Sequence, residues 1–125
     1  MQLAPLICVR DVTASSRWYQ RLLGAHSGHG GDEYERINDP DGRLVLQLHR
    51  WEVEHHHGPL GDPALPHGNG VLLWFELPDF DAAVARAQDL GAQVLRPRQF
   101  SENGNWECWL LDPDGYKVVL TSPLP

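Results

Sequence analysis

Five residues carry the chemistry that this chain offers by type and spacing. Gln47 and His49 stand two apart, as do Trp74 and Glu76, and Trp109 lies two after Glu107. Residues two apart on a strand point to the same side, so each pair is aimed together wherever its segment is extended. An amide beside an imidazole can hydrogen-bond a small molecule. Plain solvation on an open face is the competing reading for both. Glu76 suits an anchor or an acid in a pocket, and equally a solvated strand end. The indoles of Trp74 and Trp109 offer large rigid faces to a flat or cationic partner.

Other constellations are weaker. His55, His56 and His57 with Glu52 and Glu54 have metal-binding residue types. Consecutive residues alternate sides on a strand and seldom converge in a loop, so adventitious surface binding is the expectation there. A hybrid site built from Gln47, His49 and Glu76 is a second metal option. There is no nucleophile elbow. Gly28, Gly30 and Gly31 follow a helix rather than opening one, so no phosphate-cradling loop is present.

The elements that must position these residues come in two copies. Leu23-Gly24-Ala25 recurs as Leu90-Gly91-Ala92, and Asp39-Pro40-Asp41-Gly42 as Asp112-Pro113-Asp114-Gly115. In each half an apolar strand and an Asp-led helix precede the Leu-Gly-Ala stop, and a strand follows the Asp-Pro-Asp-Gly turn. Neither copy is large enough to bury a core alone. Strands are expected at Leu3–Val9, Tyr34–Asn38, Leu44–Trp51, from Val71 to Leu77, at Gln93–Leu95, Trp106–Leu111 and Tyr116–Thr121. Asp11 and Asp79 cap the two helices. Residues 26–33 and 96–105 read as loops. Alternation puts Leu44, Leu46 and Leu48 on a helix-packing face, and Val45, Gln47 and His49 on the other. It aims Trp106 inward with Cys108. The Gly- and Pro-rich stretch 52–70 is a linker between module one (1–51) and module two (71–125), long enough to serve as a lid.

Bulk properties exclude several classes. Ten basic against 17 acidic residues leave a net charge of −7, which disfavours nucleic acid. No apolar run approaches the roughly 20 residues of a membrane-spanning helix, and no signal peptide is visible. Cys8 and Cys108 lie in apolar runs without a CxxC, as expected for buried, unbridged thiols of a cytoplasmic protein.

Val9-Arg10-Asp11 with Ser15, Trp18-Tyr19 and Leu23-Gly24 resembles the opening signature of the vicinal oxygen chelate superfamily. Phe75-Glu76-Leu77-Pro78-Asp79-Phe80-Asp81-Ala82-Ala83 resembles its second-module entry, and Leu111-Asp112-Pro113-Asp114-Gly115-Tyr116 its last hairpin. The superfamily includes glyoxalase I, extradiol dioxygenases and bleomycin-binding resistance proteins. The resemblance implies an α+β fold: two βαβββ modules whose curved mixed sheets pair around a cavity, with helices outside. It also implies a homodimer. Enzymes of the superfamily hold a divalent ion on the first and last strands of each module. Those positions fall on Ala4, Gln47, Leu72 (or Val71) and Val119. One neutral amide among apolar side chains is a poor set of donors.

The expectation is therefore a metal-free, cofactor-free binding protein. Gln47, His49, Trp74, Glu76 and Trp109 would hold an aromatic or cationic small molecule in a Trp-lined cavity. The alternative is a metal-dependent lyase, isomerase or dioxygenase-like enzyme with a displaced metal site, so catalysis stays open.

Overall fold

Two helices start on the same chemistry. In a computed structural model describing residues 1–51 and 60–125, the Asp11 carboxylate accepts from the Ala14 N–H at 3.0 Å, and Asp79 accepts from the Ala82 N–H at 3.0 Å. Helix α1 (Val12–Leu23) ends at Gly24, whose φ of 63° is the left-handed conformation, and its N–H returns to the Gln20 carbonyl. Helix α2 (Phe80–Asp89) is followed by Gly91 at φ 64°. Alanine at Gly24 would carry its Cβ into that left-handed conformation, so Gly24→Ala is expected to cost about 1 kcal/mol. A lower urea midpoint with an unchanged slope checks this.

The chain folds as two compact units, Met1–Pro66 and His67–Pro125. The first unit runs β1 (Leu6–Val9), α1, β2 (His26–Ser27), β3 (Tyr34–Asn38) and β4 (Leu44–Arg50), in sheet order β1-β4-β3-β2. The second runs β5 (Leu73–Glu76), α2, β6 (Gln93–Phe100), β7 (Trp106–Leu111) and β8 (Lys117–Thr121), in order β5-β8-β7-β6. Each unit is thus a βαβββ module, and in each the first strand lies parallel to the last while the other pairs are antiparallel. The architecture is α+β, as expected.

One face of each sheet packs on its helix. In the first unit Ile7, Val9, Ile37, Leu46 and Leu48 are buried together with Val12, Tyr19, Leu22 and Leu23 of α1. In the second, Leu73, Cys108, Leu110, Val118 and Leu120 are buried, as are Phe80, Ala83, Val84 and Ala87 of α2. Cys8 and Cys108 are buried and unbridged. Among the described residues no helix is long and apolar enough to cross a membrane.

Several boundaries differ from expectation. β1 begins at Leu6, because Pro5 has no N–H to give a ladder, although its carbonyl accepts from the Gln47 N–H at 2.8 Å. His26–Ser27 is a short strand on β3 rather than loop. β4 stops at Arg50, β5 starts at Leu73 and β8 starts at Lys117. The largest difference is β6, which continues through Arg96, Pro97 and Arg98 to Phe100. Pro97 is tolerated because β6 is the sheet edge and its pairing with β7 is irregular on both sides of Arg96. Trp106 is not inward: it is 40% exposed, at the start of β7. Its ring lies under the Arg98 guanidinium at 5.0 Å and meets Phe100 edge-on at 5.4 Å. Of the expected linker 52–70, Glu52, Glu54, His55, His56 and His57 lie outside the described residues.

The hairpins after the Asp-Pro-Asp-Gly turns differ by one residue. In the second unit Leu111 faces Lys117 and Leu110 faces Val118 without interruption. In the first, Asn38 faces Leu44 but Ile37 faces Leu46. Val45 is the extra residue of a bulge. Beyond it Gln47 takes the place in β4 that Val119 takes in β8: Gln47 stands opposite Leu6 of β1, and Val119 opposite Trp74 of β5.

Candidate functional site

The second sheet's other face carries the tryptophans. Across it Trp74 (β5), Val119 (β8), Trp109 (β7) and Arg96 (β6) form one row, and Glu76, Thr121, Glu107 and Gln99 form the next. Strand alternation therefore places Trp74, Glu76 and Trp109 on one surface. The Trp74 and Trp109 rings meet edge to face, with centroids 6.5 Å apart at 79°. Trp109 is held on two sides: its Nε1–H donates to Glu107 Oε1 at 3.2 Å, and the Arg96 guanidinium sits 4.7 Å from its ring centroid. Trp74 remains 49% exposed. Trp109 is thus fixed in place with a cation against its ring, while about half of the Trp74 side chain stays open. Arg96 escaped sequence reasoning because Pro97 made its segment read as loop.

On the first unit Gln47 and His49 likewise share a face, but each is already engaged. The Gln47 Nε2–H donates to the Ala4 carbonyl at 3.0 Å, and its Oε1 accepts from the Tyr34 hydroxyl at 2.5 Å. His49 is 5% exposed, and its Nδ1 lies 2.9 Å from the Arg50 carbonyl. Tyr34 stands opposite His49 in the β3–β4 pairing, with rings 6.1 Å apart, and meets His29 edge-on at 5.1 Å. Neither Tyr34 nor His29 was singled out by sequence. Their link to Gln47 depends on strand pairing that residue spacing does not reveal.

A buried carboxylate lies behind this face. Glu35 accepts from the Ser16 and Ser27 hydroxyls, both at 2.8 Å, and from the N–H groups of Gly30 at 2.7 Å, Arg36 at 2.9 Å and His29 at 3.2 Å. Burial pushes its carboxyl upward. The hydrogen bonds from Gly30, the two serines and Arg36 outweigh burial and hold it below the usual glutamate range. Burial alone pushes the Cys8 thiol up, and it does the same at Cys108 against the opposing field of Arg98.

The four positions that hold a divalent ion in the superfamily's enzymes do not fit one. Ala4, Leu72 and Val119 carry no donor side chain, and both ends of the Gln47 amide are spent on protein groups. Among the described residues no three His, Cys, Asp or Glu side chains gather in a metal-sized cluster.

The family model of the glyoxalase-like domain matches residues 6–121. No curated protein matches the chain. Among solved structures, TioX from Micromonospora sp. ML1 superposes with a TM-score of 0.75 at 16% identity, over 98% of both chains. A bleomycin resistance determinant encoded on transposon Tn5 gives 0.69 at 20%, over 98% of this chain and 97% of that one. A glyoxalase/bleomycin resistance protein from Catenulispora acidiphila DSM 44928 gives 0.67 at 23%, over 98% of both.

Proposed function

The chain belongs to the glyoxalase-like domain family, and from that premise we propose that it is a metal-free binding protein that holds a flat, cationic small molecule against Trp74. The observation that carries this reading is the edge-to-face Trp74–Trp109 pair, in which Trp74 keeps an exposed ring. Arg96 already takes a face of Trp109, which leaves Trp74 as the stacking surface. Glu76 and Glu107 share its sheet face, and the net charge is −7. Both favour a positive ligand. The protein acts as a homodimer. The bleomycin resistance proteins among its structural neighbours lend the reading support by likeness of fold.

Calorimetric titration with N-methylquinolinium, quinoline at pH 8 and 2-naphthalenesulfonate tests it. The cation should bind several-fold more tightly than neutral quinoline, and the sulfonate least. Chelator treatment should leave the thermal midpoint unchanged, and Mn²⁺, Ni²⁺ and Zn²⁺ should not raise it. Chelator-sensitive stability restored by one ion per chain would replace this reading with the metal-dependent enzyme.

A further inference from the structure

β6 sends its two arginines to opposite faces of the second sheet, and its irregular pairing is the reason. Val94 stands opposite Leu110 and Arg96 opposite Trp109, so Leu95 is an extra residue. Without it Leu95 would face Trp109, and Arg96 would turn to the helix side. Gln99 stands opposite Glu107, so Pro97 and Arg98 together face Cys108. Arg98 therefore lies on the helix side, where its charge is spent. Asp81 takes it at 2.7 Å, and the Phe80 and Trp106 rings flank it at 5.3 and 5.0 Å. Arg96 lies on the tryptophan side, 4.7 Å from the Trp109 centroid. It is exposed, and among the described residues it pairs with no carboxylate.

The charges on this face of the second unit are sorted. Glu76 and Glu107 lie one row beyond the tryptophans, and Glu107 is turned to the Trp109 indole N–H at 3.2 Å. Lys117 lies one row before them, opposite Leu111. A molecule on Trp74 thus has carboxylates beyond it on one side. Away from that side it has Lys117 and, past the Trp109 ring, Arg96. A simple cation uses only half of that field. A guanidinium is a planar fork that fits a carboxylate through two parallel N–H bonds. Seated against a fixed ring, it loses less freedom on binding than a loose side chain would.

We infer that Arg96, held on Trp109, is an anion subsite that takes a carboxylate carried on an arm of the ligand whose cationic ring lies on Trp74. The inference rests on the proposed binding function and narrows its ligand class, from a flat cation to a flat zwitterion. The Arg96 N–H groups donate and the ligand carboxylate accepts. An anion fixed directly to a neutral ring, as in 2-naphthalenesulfonate, has neither the cationic ring nor the arm and stays the weakest ligand.

The test pairs N-(5-carboxypentyl)quinolinium with its primary amide at pH 7, equal in ring and arm. By calorimetry the full chain should bind the carboxylate about tenfold more tightly, as charge-assisted hydrogen bonds to one guanidinium predict. Arg96→Met keeps an apolar stem beside Trp109 and removes the fork. It should erase the preference without weakening N-methylquinolinium, since a like charge has gone. Arg96→Lys, which keeps the charge without the fork, should retain part of the preference. Equal binding of the two probes by the native chain, with N-methylquinolinium still bound, overturns the subsite and leaves the Trp74 platform standing. A preference that survives Arg96→Met overturns the assignment to Arg96. Equal weakening of all three probes in Arg96→Met, with a lower urea midpoint, makes Arg96 a brace for Trp109 and overturns the inference. Failure of all three to bind the native chain overturns the platform and the subsite with it.

Discussion

Glu35→Ala lowers stability by about 3 kcal/mol and the thermal midpoint by roughly 10 °C. Five donors converge on this carboxylate. Each buried donor stripped of its partner costs about 1–3 kcal/mol. The two serine hydroxyls can rotate to other acceptors, and the N–H groups of His29 and Gly30 can turn partly to water, which keeps the total near the lower end. In a domain of this size each kcal/mol is worth roughly 4 °C. The effect has a defined pH dependence. The folded carboxyl titrates below its ordinary range, so its stabilisation is complete above the unfolded value of about 4.3 and disappears as pH falls through the lower folded value. Urea midpoints should therefore show a constant gap between native protein and variant from pH 7 to about pH 5, narrowing at more acid pH. A gap that persists at pH 2 would mean that shape rather than charge holds the loop.

Trp74→Ala should weaken binding of N-methylquinolinium by roughly 10- to 100-fold, the range of one lost aromatic stack, while moving the urea midpoint little. The ring is half exposed, so the fold loses little apolar burial on its removal. Trp109→Ala is the informative contrast. Its ring supports Arg96 and anchors to Glu107, so this variant should lose stability and affinity together. Calorimetry and urea unfolding on the same two variants separate platform from wall. Unchanged affinity in Trp74→Ala would remove the ligand from this face altogether.

The duplicated Leu-Gly-Ala and Asp-Pro-Asp-Gly segments made both modules legible, because helix stops and tight turns are local chemistry. Alternation also sufficed to place Trp74, Glu76 and Trp109 on one face, since β5 and β7 are regular strands that each flank β8. Local reading failed where the outcome depends on a neighbouring strand. Pro97 ends a central strand but not an edge strand, and nothing local says that β6 is the edge. Trp106 has the inward parity yet sits where the sheet no longer covers it. Tyr34 meets Gln47 only because β3 and β4 pair. Glu35 was readable and overlooked: it shares parity with buried Ile37, and a carboxylate at a core position must be surrounded by donors.

The bulge at Val45 matters to anyone who would exchange parts between the halves. Sequences superimposed on their two Asp-Pro-Asp-Gly motifs fall out of phase three residues beyond the first turn. A transplant of β4 into the second half, cut at the turns, would turn the later side chains to the wrong side and put Gln47 where buried Leu120 belongs. Such a chimera must delete or insert one residue along with the graft. The same frame offset means that residue-by-residue inheritance between the halves runs from Gln47 to Val119 and from His49 to Thr121, a correspondence that an ungapped comparison of the two halves hides.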